Sequence, residues 1–234
     1  MAIFALGDPH FSFSTSGQEY KPMGIFGDNW LNHSQKIKAN WESVVSPEDV
    51  VLVPGDISWA LKLEEARQDL EFLGQLPGLK LLVKGNHDLW WQSVSKVRKS
   101  LPPSIKVIQN DHYLLENGIA ICGTRGWTCP NDKGFDTDHD QKVYEREVNR
   151  LRLSLETVKQ EVEEIIVMLH YPPTNGKHEP SGFTELLQKF NVKTCVYAHL
   201  HSESIQGAIP REKWGINFYL VSADAIGFTP LLVR

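Results

Sequence analysis

A chain of 234 residues, 41% of them hydrophobic, can bury a substantial core, and one domain spanning residues 1–234 is the expectation. The formal charge of −5 gives no electrostatic footprint for holding extended nucleic acid, because that binding is dominated by Lys and Arg on phosphates. No apolar run approaches the roughly 20 residues that span a bilayer, the first residues lack the features of a leader, and three irregularly spaced cysteines argue against a disulfide framework, so a cytoplasmic protein with reduced thiols is expected.

Apolar runs of strand length recur at residues 2–6, 50–53, 79–83, 105–108, 119–122, 165–169, 194–197, 204–209, 218–221 and 230–233. Several are apolar throughout, as in strands covered on both faces. Between them, Ile37, Trp41, Val44 and Val45 share one helical face. Leu63, Ala66, Leu70 and Leu73 mark a helix within 60–76 that Pro77-Gly78 ends, and a further helix is expected over 89–101. Tyr144, Val148, Leu151, Leu155, Val158 and Val162 predict one long amphipathic helix. Alternating strands and helices in the first half, then strands with fewer helices, predict an α/β sandwich with a mixed sheet core. Ligands in such folds collect beyond the carboxyl ends of strands.

Those ends carry one set of residue types. Gly7-Asp8-Pro9-His10 follows the first run, Pro54-Gly55-Asp56 the second, and Gly85-Asn86-His87-Asp88 the third; His170 follows the run 165–169, and His199-Leu200-His201 the run 194–197. Each piece alone is weak, since Gly-Asp is an ordinary turn and a lone His is more often a hydrogen-bonded core residue. Their joint placement points to a metal site: Asp and His offer the oxygen and nitrogen donors that suit Zn, Mn or Fe, and the absence of Cys argues against a closed thiolate site. Asp8, His10, Asp56, Asn86, His170, His199 and His201 are too many for one catalytic ion with an open position, and fit two ions that share a carboxylate.

In this order the five blocks resemble the calcineurin-like metallophosphoesterase superfamily, of the kind found in predicted bacterial phosphohydrolases. The resemblance runs from Asp8 to His201. It implies a four-layer α/β/β/α sandwich of mixed sheets with a dinuclear centre at the carboxyl ends of strands. One ion would take Asp8, His10, Asp56 and His201, and the other Asp56, Asn86, His170 and His199, with Asp56 bridging. The implied reaction is in-line attack of a metal-bound hydroxide on a phosphomonoester or phosphodiester. His87 would contact phosphoryl oxygens and protonate the leaving alkoxide, while Asp88 either orients His87 or caps the following helix. Two departures stand out: Ala198 occupies a position where the family usually has Gly, and Gly55-Asp56-Ile57-Ser58-Trp59 lacks the Asp-Arg pair of phosphoprotein phosphatases.

Two long stretches, 11–30 and 123–141, are expected as loops that choose the substrate. Arg125 is a candidate phosphate clamp, and Trp30, Trp59, Trp90, Trp91 and Trp127 are candidates for stacking on a base or aryl group. The expected partner is a small phosphorylated compound, with nucleotides or aryl esters favoured over polar sugar phosphates. A non-catalytic metal-binding scaffold and a nuclease-type phosphodiesterase are the alternatives; site completeness weighs against the first and acidic charge against the second.

Overall fold

The computed structural model describes residues 1–234. In chain order the elements are β1 (Ile3–Ala5), α1 (His33–Val44), β2 (Val50–Pro54), α2 (Arg67–Gln75), β3 (Leu79–Val83), α3 (Val94–Ser100), β4 (Ile105–Val107), β5 (His112–Leu114), β6 (Ile119–Thr124), α4 (Asp140–Glu156), β7 (Glu164–Leu169), α5 (Gly182–Lys189), β8 (Thr194–Tyr197), β9 (Glu212–Lys213), β10 (Ile216–Leu220) and β11 (Leu231–Leu232). The fold is mixed α/β with two mixed sheets. The chain divides into two units, one made of Met1–Val107 with Val221–Arg234, the other of Ile108–Leu220.

The first unit is built on the sheet β11-β1-β2-β3-β4. Its central strands are parallel, with Ile3 opposite Val50, Val50 opposite Leu79 and Lys80 opposite Ile105, while β11 closes the edge antiparallel to β1. Every residue of β2 is buried, which is why its sequence is continuously apolar and does not alternate. Its core gathers Val51, Val53 and Leu82 from strands with Ile37, Trp41, Leu70 and Leu73 from α1 and α2. Lys80 is also fully buried. Its ammonium donates to the carbonyl of Leu76 at 2.5 Å, a group that the end of α2 leaves without a helical partner, and to that of Gly78 in the following turn at 2.8 Å.

The second unit has the order β5-β6-β7-β8-β10-β9, with the four middle strands parallel and both edges antiparallel. Cys122, Val167, Leu169, Cys195 and Phe218 pack there with Leu151 of α4 and Phe183 and Leu187 of α5. No helix is long and apolar enough to cross a membrane.

Several expected elements differ in detail. The helix expected within 60–76 begins only at Arg67, because the Glu65 carboxylate accepts from the backbone of Leu61 and Lys62 and holds them in a turn. The helix expected over 89–101 begins at Val94. The long amphipathic helix stops at Glu156, short of Val158 and Val162: the Thr157 hydroxyl turns back to the Ser154 carbonyl at 2.6 Å, a side-chain bond that competes with helix continuation. Residues 204–209, expected as a strand, fall largely in a 3-10 helix, Ser202–Gly207. The short strands β5 and β9 and the helix α5 are additional; α5 is announced by the Ser181 cap, whose hydroxyl accepts from Phe183 and Thr184.

Candidate functional site

In the first unit, the segments leaving β1 and β2 are joined beyond the sheet. Asp8 donates its N–H to Gly55 O, His10 to Asp56 O and Phe11 to Ile57 O, at 2.9–3.1 Å. These bonds hold three non-glycine residues in the left-handed region: Asp8 at φ 54°, His10 at φ 47° and Asp56 at φ 53°. Such conformations are uncommon and cost roughly 1–3 kcal/mol each, so they persist where surrounding bonds enforce them, often at functional sites. The three side chains are buried. Ligand atoms of Asp8 lie within 4.8 Å of those of His10 and of Asp56, and His10 Nε2 is 3.8 Å from Asp56 Oδ2.

The loop after β3 is tied to the same place. His87 donates its backbone N–H to Asp56 Oδ1 at 2.7 Å, and Asn86 stands beside it, half-buried. The His87 side chain is exposed, with its ring centroid 5.7 Å from that of His10. Asp88 is completely buried, and its reading as a helix cap is corrected. The helix begins at Val94, so Asp88 does not cap it, and its carboxylate accepts from Gly85 N at 2.8 Å, Ile57 N at 2.9 Å, Ser58 N at 3.1 Å and Trp90 Nε1 at 2.9 Å, with no bond to His87. Asp88 therefore clasps the loop after β3 to the loop after β2. Burial, and then Asp56, push its carboxyl up to about 7; the N–H donors act in the opposite direction.

His33, to which the sequence lent no role, lies fully buried with Nε2 3.3 Å from the carbonyl of His10. As a donor it steadies the left-handed turn that presents the His10 ring. Of the five candidate stacking tryptophans, Trp30, Trp90 and Trp91 are core. Trp59 is partly exposed: it stacks on His10 with centroids 4.7 Å apart and planes at 15°, and lies 4.4 Å from His87. Its indole N–H points to Met23 Sδ at 3.1 Å and the Lys21 ammonium sits 3.0 Å from a ring centroid.

In the second unit, His170 follows β7 and His199 and His201 follow β8. His170 Nε2 and His199 Nδ1 are 3.2 Å apart, and His199 is also left-handed, at φ 72°. The carbonyl of Arg125 accepts from the N–H groups of both His170 and Tyr171 at 3.0 Å, and Ala198 donates to His170 O at 3.0 Å. His201 is held by its N–H to Ser204 Oγ at 2.8 Å. The guanidinium of Arg125 is engaged: it lies 3.3 Å from the fully buried Glu147 carboxylate and 4.5 Å above Trp127. Glu147 also accepts from Thr124 Oγ1 and from Arg150, each at 2.7 Å. Trp127 donates to Asp140 at 3.0 Å and stands 5.1 Å from Tyr171, which lies against His199 at 4.0 Å.

The donor chemistry fits divalent ions. The first unit concentrates two buried carboxylates and an imidazole within a few ångströms, and the second pairs two imidazoles, a set of oxygen and nitrogen donors without thiolate. The three cysteines are free and buried elsewhere in the second unit.

Comparison with known proteins gives a family. The family model of calcineurin-like phosphoesterases matches residues 1–203. A search of curated proteins finds no match. Among solved structures, the chain is similar to AQ665, a protein of unknown function from Aquifex aeolicus, at 17% identity and TM-score 0.50, over 98% of this chain and 94% of that one. It is similar to the phosphopantetheinyl hydrolase PptH from Mycobacterium tuberculosis at 19% identity and TM-score 0.54, over 94% and 88%. A third likeness is to GAP50, the anchor in the inner membrane complex of Plasmodium, at 16% identity and TM-score 0.51, over 95% and 71%. At these identities the likeness is one of fold, and a hydrolase and an anchor share it.

Proposed function

Because the chain belongs to the calcineurin-like phosphoesterase family, whose members carry out metal-dependent phosphoester hydrolysis and typically hold two metal ions, we propose that it is a phosphohydrolase using a dinuclear centre. The proposed ligands are those read from the sequence: Asp8, His10, Asp56, Asn86, His170, His199 and His201. Divalent ions bound by such donors supply Lewis acidity toward phosphoryl oxygens and acidify a water to near-neutral pKa.

The observation that carries the reading is the position of His87. Its imidazole is exposed while its own N–H is fixed on Asp56, and its ring faces His10 and Trp59. A non-ligand imidazole beside buried donors can hydrogen-bond a phosphoryl oxygen and deliver a proton to the departing oxygen, a contribution of about 10²–10⁴ in rate. Asn86 supplies a neutral oxygen where a carboxylate would cancel more positive charge, which favours an anionic phosphoester. Asp88 keeps the loop carrying both residues in place.

The test is hydrolysis of an aryl phosphomonoester and a bis-aryl phosphodiester by chain stripped of metal and reconstituted with Mn, Zn or Fe, beside His87→Ala and Asn86→Ala. Metal-dependent turnover that falls in both variants is expected, and the ratio of the two substrates assigns the ester class. Binding of two ions with no turnover on any ester would favour a scaffold.

A further inference from the structure

A cleft of about 720 Å3 opens on the first unit, lined by Phe13, Tyr20, Trp59, Leu61, Glu64 and Gln68 among others. It begins at Trp59, the residue stacked on His10 and 4.4 Å from His87. In the proposed reaction His87 protonates the departing oxygen, and Trp59 is the nearer of the two rings beside His87, at 4.4 Å against 5.7 Å for His10, so a leaving group held by His87 has the Trp59 wall at hand. Trp59 is itself part of the wall of this cleft. Leu61 is 65% exposed and Tyr20 50%, side chains placed where water, and not the core, covers them.

Charge narrows the occupant. The single cation of the lining, Arg67, is paired with Glu71 at 2.8 Å. Lys21, on the Trp59 ring, lies outside the lining; within it Glu64 and Glu65 remain, giving a rim that repels a second anionic group and attracts an amine. Trp59 is held by Met23 and Lys21, so the aromatic wall is already in position before a ligand arrives.

We propose that this cleft receives the alcohol portion of the phosphoester, and that the substrates carry an aryl or arylalkyl alcohol that is uncharged or bears an amine. The proposal deepens the hydrolase reading and rests on it for the direction in which the leaving group points.

Two measurements separate the claims. The full chain loaded with Mn is assayed on 4-(aminomethyl)phenyl, phenyl, 4-carboxyphenyl and methyl phosphate, and saturation-transfer NMR follows 4-(aminomethyl)phenol on the metal-free chain. Both are repeated on Gln68→Trp, which fills the cleft, and on Glu64→Lys, which changes only an exposed charge. Expected are a kcat/KM at least about tenfold higher for the aminomethyl than for the carboxyl ester, loss of that preference in Glu64→Lys, and NMR transfer that disappears in Gln68→Trp. Equal kcat/KM for all four esters, with no transfer, overturns the proposal. Transfer that Gln68→Trp abolishes, with no ester hydrolysed, keeps the cleft as a binding site for aryl amines and overturns the hydrolase reading instead.

Discussion

Gly85 lies against Asp56 with no room for a side chain between them: a Cβ on Gly85 would fall closer than 3.0 Å to both the Asp56 carboxylate and its backbone nitrogen. Asp56 sits at φ 53°, and it is the residue on which His87 N–H is fixed. The glycine is thus a matter of close approach between two loops, one after β2 and one after β3.

Gly85→Ala should therefore act on the donors as well as on stability. A methyl group forced against backbone costs about 1–3 kcal/mol, which in a chain of this size corresponds to a Tm lower by about 5 °C. The expected companion is a weaker uptake of Mn, read by calorimetry. A variant with unchanged Tm and unchanged Mn stoichiometry would show that the loops yield freely and that their contact does not hold Asp56.

Asp88 makes a second, graded prediction. Asp88→Ala strands three backbone N–H groups and the Trp90 indole, each buried donor costing about 1–3 kcal/mol. That sum rivals the stability of a whole domain, about 5–15 kcal/mol, so the alanine variant is expected to fold poorly or not at all. Asp88→Asn keeps one carbonyl oxygen and should unfold in urea at a lower midpoint than wild type, yet remain folded. A fully stable Asp88→Ala protein that has lost only turnover would restore the catalytic role first read from its place beside His87.

Asp69 predicts a pH dependence. Burial, foremost, pushes its carboxyl up to about 7 from an ordinary 3.8, while the bonds it accepts from Ser58 Oγ and from Phe13 N–H at 2.6 Å pull the other way. The folded chain consequently holds this proton more tightly than the unfolded chain. Its stabilising contribution is complete below about pH 4 and is lost as pH rises to about 7. Asp69→Asn preserves the shape and removes the titration, so the Tm of wild type relative to Asp69→Asn should fall by several degrees between pH 5 and 8. Parallel Tm curves for the two proteins over that range would refute the raised pKa.

The contrast between what pattern reading reaches and what it misses follows from where partners lie. Asp8, His10, Asp56, Asn86, His170 and His199 stand just past apolar strands, and parallel pairing of β1, β2 and β3, and of β7 and β8, brings strand ends together within each unit. That much is a consequence of local sequence and one topological rule. The role of Asp88 is not, because its partners Ile57 and Ser58 are 31 and 30 residues away. The end of α4 lies at Thr157, whose hydroxyl turns back to the Ser154 carbonyl. Likewise the distinction between Trp59 and the buried Trp30, Trp90 and Trp91 depends on how 11–30 folds over the sheet, through bridges such as Phe11 with Ser58.

Arg125 separates a clamp from a strut. From sequence it reads as a fork for phosphate; in the fold its guanidinium meets Glu147, whose carboxylate is wholly buried, and its carbonyl holds the N–H groups of His170 and Tyr171. Arg125→Ala removes one of the cations around Glu147 but leaves Arg150 at 2.7 Å and Thr124 at 2.7 Å. Because those partners still compensate the buried charge, the loss should stay below the roughly 3–5 kcal/mol of a fully broken buried pair, at about 1–2 kcal/mol in urea titration. The backbone bonds to His170 do not need the side chain, so KM for an aryl phosphate is expected to change less than about twofold, whereas loss of a bidentate phosphate contact would raise it by tenfold or more. Measured together, a lowered urea midpoint with constant KM identifies the strut, and a raised KM with constant stability identifies the clamp.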